Sequence, residues 1–185
     1  RAGQVVAVPG VGGAALVPPA IDAAQSLALH VAGSVPAFAA LMNAKARRLG
    51  MRDTRFRNPH GLDDPGHYST ARDVVRLARA AFRDPVIRSV VRSRAVTIAG
   101  RTYESTDRLA ARLPRLIGTK TGQTALAGWS QVAAARGRGV TIYAAVLGAA
   151  GREERTDDLE ALLRWGLGEY VTVAAVSASR VYGEV

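Results

Sequence analysis

The order of periodicities along these 185 residues predicts an α+β fold, with helices packed on an antiparallel sheet. Apolar residues in the first half recur at helical spacing and are bounded by capping residues and glycine stops. From Ala95 onward the pattern changes to short β-prone runs joined by glycine turns, as in antiparallel hairpins. A final helical stretch follows the strands, so the two types are segregated rather than alternating as βαβ units.

Residues 5–8 read as a short strand, and Pro9-Gly10 and Gly12-Gly13 as turns. Pro18-Pro19 forbids a helix at that point. Residues 22–31 form a helix that Asp22 can cap, with Gln25 three residues on and Gly33 as the stop. Residues 34–49 form a second, with Phe38, Leu41, Met42 and Leu49 on one face and Gly50 beyond. Residues 52–68 are irregular, broken by Asn58-Pro59, Gly61 and Pro65-Gly66. Thr70 and Asp73 make a capping box for a third helix whose buried stripe is Val74, Leu77, Ala78 and Ala81. Asp84-Pro85 opens a short helix, with proline in the first turn. Residues 95–98 and 102–105 pair as a hairpin around Ala99-Gly100. Strands follow at 116–121, 129–135 and 140–147, the last two joined by Gly137-Arg138-Gly139. Residues 153–166 form a helix whose acidic first turns suit its dipole. Leu159, Leu162 and Leu163 face inward, Trp129 and Trp165 pack between sheet and helix, and residues 170–176 read as a last strand.

Composition narrows the function classes. Apolar residues make up 48% of the chain, enough for a packed core in one domain. No run of about 18 apolar residues is present to form a membrane span. The absence of cysteine excludes disulfides, thiolate metal sites and a cysteine nucleophile. The formal charge is +10 and comes almost entirely from arginine, since Lys45 and Lys120 are the only lysines. These arginines are scattered and aromatics are only 5%, too few for base-stacking platforms, so nucleic acid is not expected as a partner. His30, His60 and His67 have no metal-ligand spacing, and Gly10 to Gly13 lack the lysine of a phosphate loop, so no metal or cofactor is expected. His60 reads as a loop residue and the adjacent Asp63 and Asp64 as a solvated turn.

One motif carries chemistry. Lys120-Thr121-Gly122, within 118–124, places a cation and a hydroxyl at a strand edge, with a glycine that lets a ligand lie against the backbone. Alone, the triplet is equally a surface lysine beside a tight turn. Its neighbours extend the pattern. In order come Met42-Asn43-Ala44-Lys45, Leu49-Gly50-Met51, Asn58-Pro59-His60-Gly61-Leu62 and Tyr68-Ser69-Thr70-Ala71-Arg72-Asp73. After the triplet come Ala127-Gly128, Val146-Leu147-Gly148, Gly151-Arg152-Glu153 and Leu163-Arg164-Trp165-Gly166. This set, from Asp22 to Gly168, resembles the serine-type D-alanyl-D-alanine carboxypeptidases, the low-molecular-mass penicillin-binding proteins of peptidase family S11.

The resemblance implies a penicillin-binding, β-lactamase-like α+β domain in the cell envelope, outside the cytoplasm. It would act on peptidoglycan stem peptides ending in D-Ala-D-Ala and bind β-lactams. The family uses S-x-x-K for the nucleophile, S-x-N for proton relay and K-T-G for the substrate carboxylate. Lys120, in the catalytic set, Thr121 and Gly122 match the third motif, and Thr124 and Arg152 fall where the family can bind substrate. The other two motifs are absent. The residues three before the lysines are Met42 and Ile117, and neither asparagine, Asn43 or Asn58, has a serine two before it. Where the family has S-x-N ahead of Asp22-Ala23-Ala24, this chain has Pro19-Ala20-Ile21. The expected organisation is a degenerate or truncated segment over 1–21 and a carboxypeptidase-like domain over 22–185. Two functions follow: a carboxypeptidase-like domain that is inactive as this chain alone, or a non-catalytic module binding peptidoglycan or a partner. With only 21 residues before Asp22, apolar surface and a strand edge that the family covers with amino-terminal elements should be exposed. Calorimetry of the purified chain should therefore show a broad transition or self-association; a sharp, cooperative melt of a clean monomer would count against this.

Overall fold

The computed structural model describes residues 8–18, 20–98 and 100–170. The elements are α1 (Val8–Leu16), α2 (Ile21–Ala32), α3 (Val35–Arg48), α4 (Ala71–Ala81), α5 (Pro85–Val91), β1 (Ala95–Ile98), β2 (Arg101–Glu104), α6 (Leu109–Arg112), β3 (Leu116–Thr124), β4 (Gly128–Gly137), β5 (Val140–Ala149) and α7 (Arg152–Glu169). The α+β expectation holds. β1 and β2 form a separate antiparallel pair, and β3-β4-β5 is an antiparallel meander.

The central strand sets the layers. Gln131 to Ala135 are all buried, and alternate residues point to opposite faces. Ala133 and Ala135 meet Leu159 and Leu163 of α7 and Leu109 and Leu113 from the α6 segment. Val132 and Ala134 meet Ala78 and Phe82 of the α4 segment and Val91 of α5. Helices therefore cover both faces. Two glycines permit close approach: a Cβ on Gly118 would lie 2.6 Å from Val91 Cγ2, and one on Gly166 would lie 2.8 Å from Ile142 Cγ2.

Several expectations change. The Pro-Gly turn and Gly-Gly of the first segment are helical in α1, and Val8 belongs to that helix; residues 5–7 lie outside the described residues. α1 is held by tertiary contact, since a Cβ on Gly13 would strike Val96 of β1 at 2.8 Å. The cap of α2 is Ala20, one residue before the helix begins, so Asp22 sits in the first turn and accepts from the Ala23 N–H at 2.9 Å. Thr70 caps α4 as expected, but the Asp73 carboxylate turns away from the cap toward the 50–54 loop. Leu41 is 51% exposed and α3 buries Ala39 and Ala46 instead. Leu162 and Trp165 are 43% and 63% exposed, because they lie beside β5, the outer strand among the described residues. Tyr170 is extended, and the rest of the expected last strand, 171–176, lies outside the described residues. The sequence gives no clear sign of α6, a single turn that Asp107 caps through the Leu109 and Ala110 N–H groups.

Asp73 organises the 50–73 region. Its enclosed carboxylate accepts from the Asp53 N–H at 2.9 Å, the Thr54 hydroxyl at 2.8 Å and the Arg76 guanidinium at 2.7 Å. Arg76 also donates to the Gly50 carbonyl at 3.0 Å. Burial pushes the carboxyl pKa up, but the bonds from Thr54, Asp53 and Arg76 outweigh it and hold the group below the ordinary range. The unfolded chain thus binds this proton more readily, so the stabilisation is complete above the ordinary carboxylate pKa and is lost as pH falls through it toward the folded-state value. Asp73→Asn should lower the melting temperature at pH 7 and flatten its fall between pH 5 and 3. Parallel pH profiles for the two proteins would refute this.

Candidate functional site

β3 is the outer strand on its side of the meander, and Lys120, Thr121 and Gly122 lie within it rather than at its end. They pair with Val132, Gln131 and Ser130 of β4. A Cβ on Gly122 would meet nothing within 4 Å, so the backbone there is open to a ligand. Beside Lys120 the space narrows to about 10 Å³, closed by Leu16 and Val17 from one side and Val90 and Val91 from the other. That is near the minimum for one water molecule. A ligand would therefore enter along Thr121 and Gly122.

The site holds two cations, with the Asp107 carboxylate lining the same space. The Lys120 Nζ donates to the Thr121 carbonyl, and among the described residues no carboxylate pairs with it. Burial pushes the Lys120 pKa down, and the charge of Arg155 pushes the same way. Arg155 is 2% exposed. Its Nη2 donates to Thr156 Oγ1 at 3.4 Å, its guanidinium carbon lies 5.6 Å from the centre of the Trp129 ring, and its Nε has no partner. Burial pushes its pKa down too, against the pull of Asp107. Asp107 is itself engaged, accepting from Gln131 Nε2 at 2.7 Å, and the same Nε2 reaches Thr119 Oγ1 at 2.8 Å.

The remaining expected site residues take other positions. The Thr121 hydroxyl bonds Thr106 at 3.0 Å, and either can donate, so it can turn to a ligand. The Thr124 hydroxyl donates to Asp63 Oδ1 at 2.6 Å and accepts from the Ala127 N–H at 2.9 Å; the other Asp63 oxygen takes the Leu126 N–H at 3.3 Å. Its proton is therefore committed to a carboxylate, and Thr124 ties the 57–68 loop to the β3–β4 turn. Arg152 opens α7, with its guanidinium 5.0 Å from the Trp129 ring centre. The arginine whose charge reaches Lys120 is Arg155, one turn further along. It had a sequence signal: positions 155, 159 and 163 recur every four residues, so an arginine in register with Leu159 and Leu163 belongs to the buried stripe. Asp63 had none, since the partner it meets is 61 residues away. His60 and His67 accept the Leu62 and Arg57 N–H groups through Nδ1, as loop residues do. Among the described residues no group of three His, Asp or Glu could hold a metal ion, and no single helix is long and apolar enough to cross a membrane.

Comparison with known proteins gives concordant matches. The family model of peptidase S11, D-alanyl-D-alanine carboxypeptidase, matches residues 1–151. The carboxypeptidase DacC of Escherichia coli is 36% identical over 164 residues, covering 87% of this chain and 41% of the relative. DacD of Salmonella typhimurium is 32% identical, covering 88% and 42%. The crystal structure of DacD from Francisella tularensis superimposes with a TM-score of 0.88 at 24% identity, over 97% of this chain and 56% of that one, a likeness of fold. A D-alanyl-D-alanine carboxypeptidase from Mycobacterium tuberculosis gives 0.80 at 29% identity, over 100% and 70%. The chain spans about two fifths of the length of these curated relatives.

The enclosed, unpaired lysine has a stability consequence. Its pKa is lowered on folding, so the unfolded chain binds the proton more tightly, and stability gains from this group as pH rises from the folded value toward 10.5. Below that window the cost of burying the charge is full. Lys120→Met should raise stability at pH 7 by on the order of 1 kcal/mol. A lower melting temperature for the variant would show that the ammonium is well solvated or paired.

Proposed function

The chain belongs to the D-alanyl-D-alanine carboxypeptidase family, and from that premise we propose that it binds peptidoglycan stem peptides ending in D-Ala-D-Ala without cleaving them by itself. The observation that carries this reading is a pair of cations with no bonded carboxylate among the described residues, Lys120 and Arg155, beside the open backbone of Thr121 and Gly122. An extended peptide adds to the outer edge of β3 through main-chain hydrogen bonds. Its terminal carboxylate takes the Thr121 hydroxyl and lies in the field of Lys120, with Arg155 supplying a second positive charge nearby. Lys120 is the one family catalytic residue retained, Gly122 leaves room for the ligand backbone, and Thr124 and Arg152 flank the site as supports.

The chemistry of cleavage needs a nucleophile with a base beside it. No serine stands three residues before either lysine, and the place of the second family motif is held by Pro19-Ala20-Ile21. Neither proline nor isoleucine relays a proton. In this reading residues 1–21 are a degenerate segment ahead of the binding domain. What such a chain retains is the binding and electrostatic part of catalysis, about 10³–10⁴ over water in well-studied serine hydrolases. The site belongs outside the cytoplasm, in the cell envelope, where its ligand is. A second reading, a carboxypeptidase completed by a nucleophile outside this sequence, is favoured by the chain's coverage of only 41–42% of those relatives.

Incubation of the folded chain with a fluorescent penicillin, followed by denaturing mass spectrometry, should give no adduct. A stoichiometric adduct would mean that some residue here serves as nucleophile. In parallel, a D-Ala-D-Ala peptide should bind, and Lys120→Met or Arg155→Gln should weaken binding about 10–100-fold, the worth of one hydrogen bond to a charged group. Unchanged affinity in both variants would remove the site from β3.

A further inference from the structure

With the terminal carboxylate of a peptide at Thr121, the rest of that peptide has one open course along β3. Beside Lys120 the edge closes to a space of about 10 Å³ under Leu16, Val17, Val90 and Val91, and Gly118 and Thr119 before it are buried. Beyond Thr121, Gly122 and Gln123 are exposed. A strand added there advances about 3.3 Å per residue. Its third residue from the carboxyl end therefore arrives at the turn between β3 and β4.

That turn is held by the 57–68 loop. The Asp63 carboxylate accepts from the Thr124 hydroxyl at 2.6 Å and from the Leu126 N–H at 3.3 Å. The tip of the loop is itself braced. Buried Asn58 accepts from the Gly61 N–H at 2.7 Å and donates to the Leu62 carbonyl at 2.9 Å. Its base is pinned by two backbone bonds between Arg55 and Tyr68, at 2.9 and 3.0 Å, and Asp64 pairs with Arg57 at 3.5 Å. Two apolar side chains are left outward at this place: Leu62, next to Asp63, is 44% exposed, and Leu126, bonded to Asp63 through its N–H, is 85% exposed. One exposed leucine carries little meaning. Two brought to one place by the same carboxylate, at the end of the edge a peptide follows, make an apolar contact beside a negative charge.

We propose that Leu62 and Leu126, set in place by Asp63, form a subsite for the side chain of the third residue from the peptide's carboxyl end. The subsite takes an aliphatic side chain, which covers the two leucines. It rejects an acidic one, because Asp63 is exposed and would face it with a like charge. This assignment rests on the reading that the terminal carboxylate lies at Lys120 and Thr121.

The probes are three acetyl-capped peptides, X-D-Ala-D-Ala with X as norleucine, glycine or glutamate, titrated by calorimetry against the full 185-residue chain. The norleucine peptide should bind about fivefold tighter than the glycine peptide, as expected for burial of about 40 Å² of apolar surface, and the glutamate peptide should bind most weakly. Leu126→Ser, at an exposed position, should keep the wild-type melting temperature and erase the gain from norleucine. Asp63→Asn, which keeps an acceptor for Thr124, should narrow the penalty on glutamate. The proposal is overturned if the chain binds all three peptides equally, or if the gain from norleucine survives in Leu126→Ser; the reading of Lys120 and Thr121 as the carboxylate site stands in either case. If none of the three binds to the folded chain, that reading falls and the subsite with it.

Discussion

The burial of β4 on both faces is the constraint from which the rest of the architecture follows. A strand covered on one side alternates apolar with polar residues, but Val132 to Ala135 are apolar throughout and no more than 8% exposed. Three of the four are alanines, and their small size lets α7 on one face and α4 and α5 on the other close on the sheet. At about 25 cal/mol per Å² of apolar area, a strand buried on two faces contributes roughly twice what a half-exposed strand of equal length does. The position of β3 and its lysine follows from that packing, because β3 pairs with β4 from Leu116 to Thr124. A larger residue at Ala133 or Ala134 would displace one helix layer and with it one wall of the site.

How much of this was legible differs by element, for physical reasons. The three sheet strands and the β1–β2 hairpin were readable because β-prone runs were bounded by turns whose glycines adopt positive φ, as at Gly100 and Gly139. α1 was not, because proline and three glycines in nine residues have poor intrinsic helix propensity, and contact with β1 and α5 overrides it. Leu162 and Trp165 read as core because apolar residues at helical spacing usually are; the stripe is real, but among the described residues no strand lies beyond β5 to cover that flank. Within the site, the lysine, the threonine and the glycine were visible as a motif. Arg155 is hidden among charges, in a helix whose acidic first turns suit its dipole, although its register with Leu159 and Leu163 marks it as buried. Hydrogen-bond commitments such as Thr124 to Asp63 depend on a distant loop and have no local signature.

The Lys120–Arg155 arrangement carries an electrostatic cost. Burial and the charge of Arg155 both disfavour the charged form of Lys120, and neither cation has a carboxylate bonded to it. A sequence selected for stability alone would place a neutral side chain at position 120, since a partly buried charge without a carboxylate partner costs stability. Electrostatic stress of this kind is characteristic of functional positions, which is the ground on which the binding role is proposed.

The tie between Asp63 and Thr124 bears on how the molecule assembles. The β3-β4-β5 meander joins consecutive strands through short turns, so its contacts are local in sequence and form with little loop-closure entropy. The Asp63 clasp closes a loop of 61 residues and gains only a few hydrogen bonds on closing. Such a contact is entropically late: the meander and its helices can condense first, and the loop over 57–68 docks onto a hairpin already in place. The far end of β3 is thus the last part of that edge to rigidify and the first to loosen, a gradient of local opening that runs along the same strand a ligand would use.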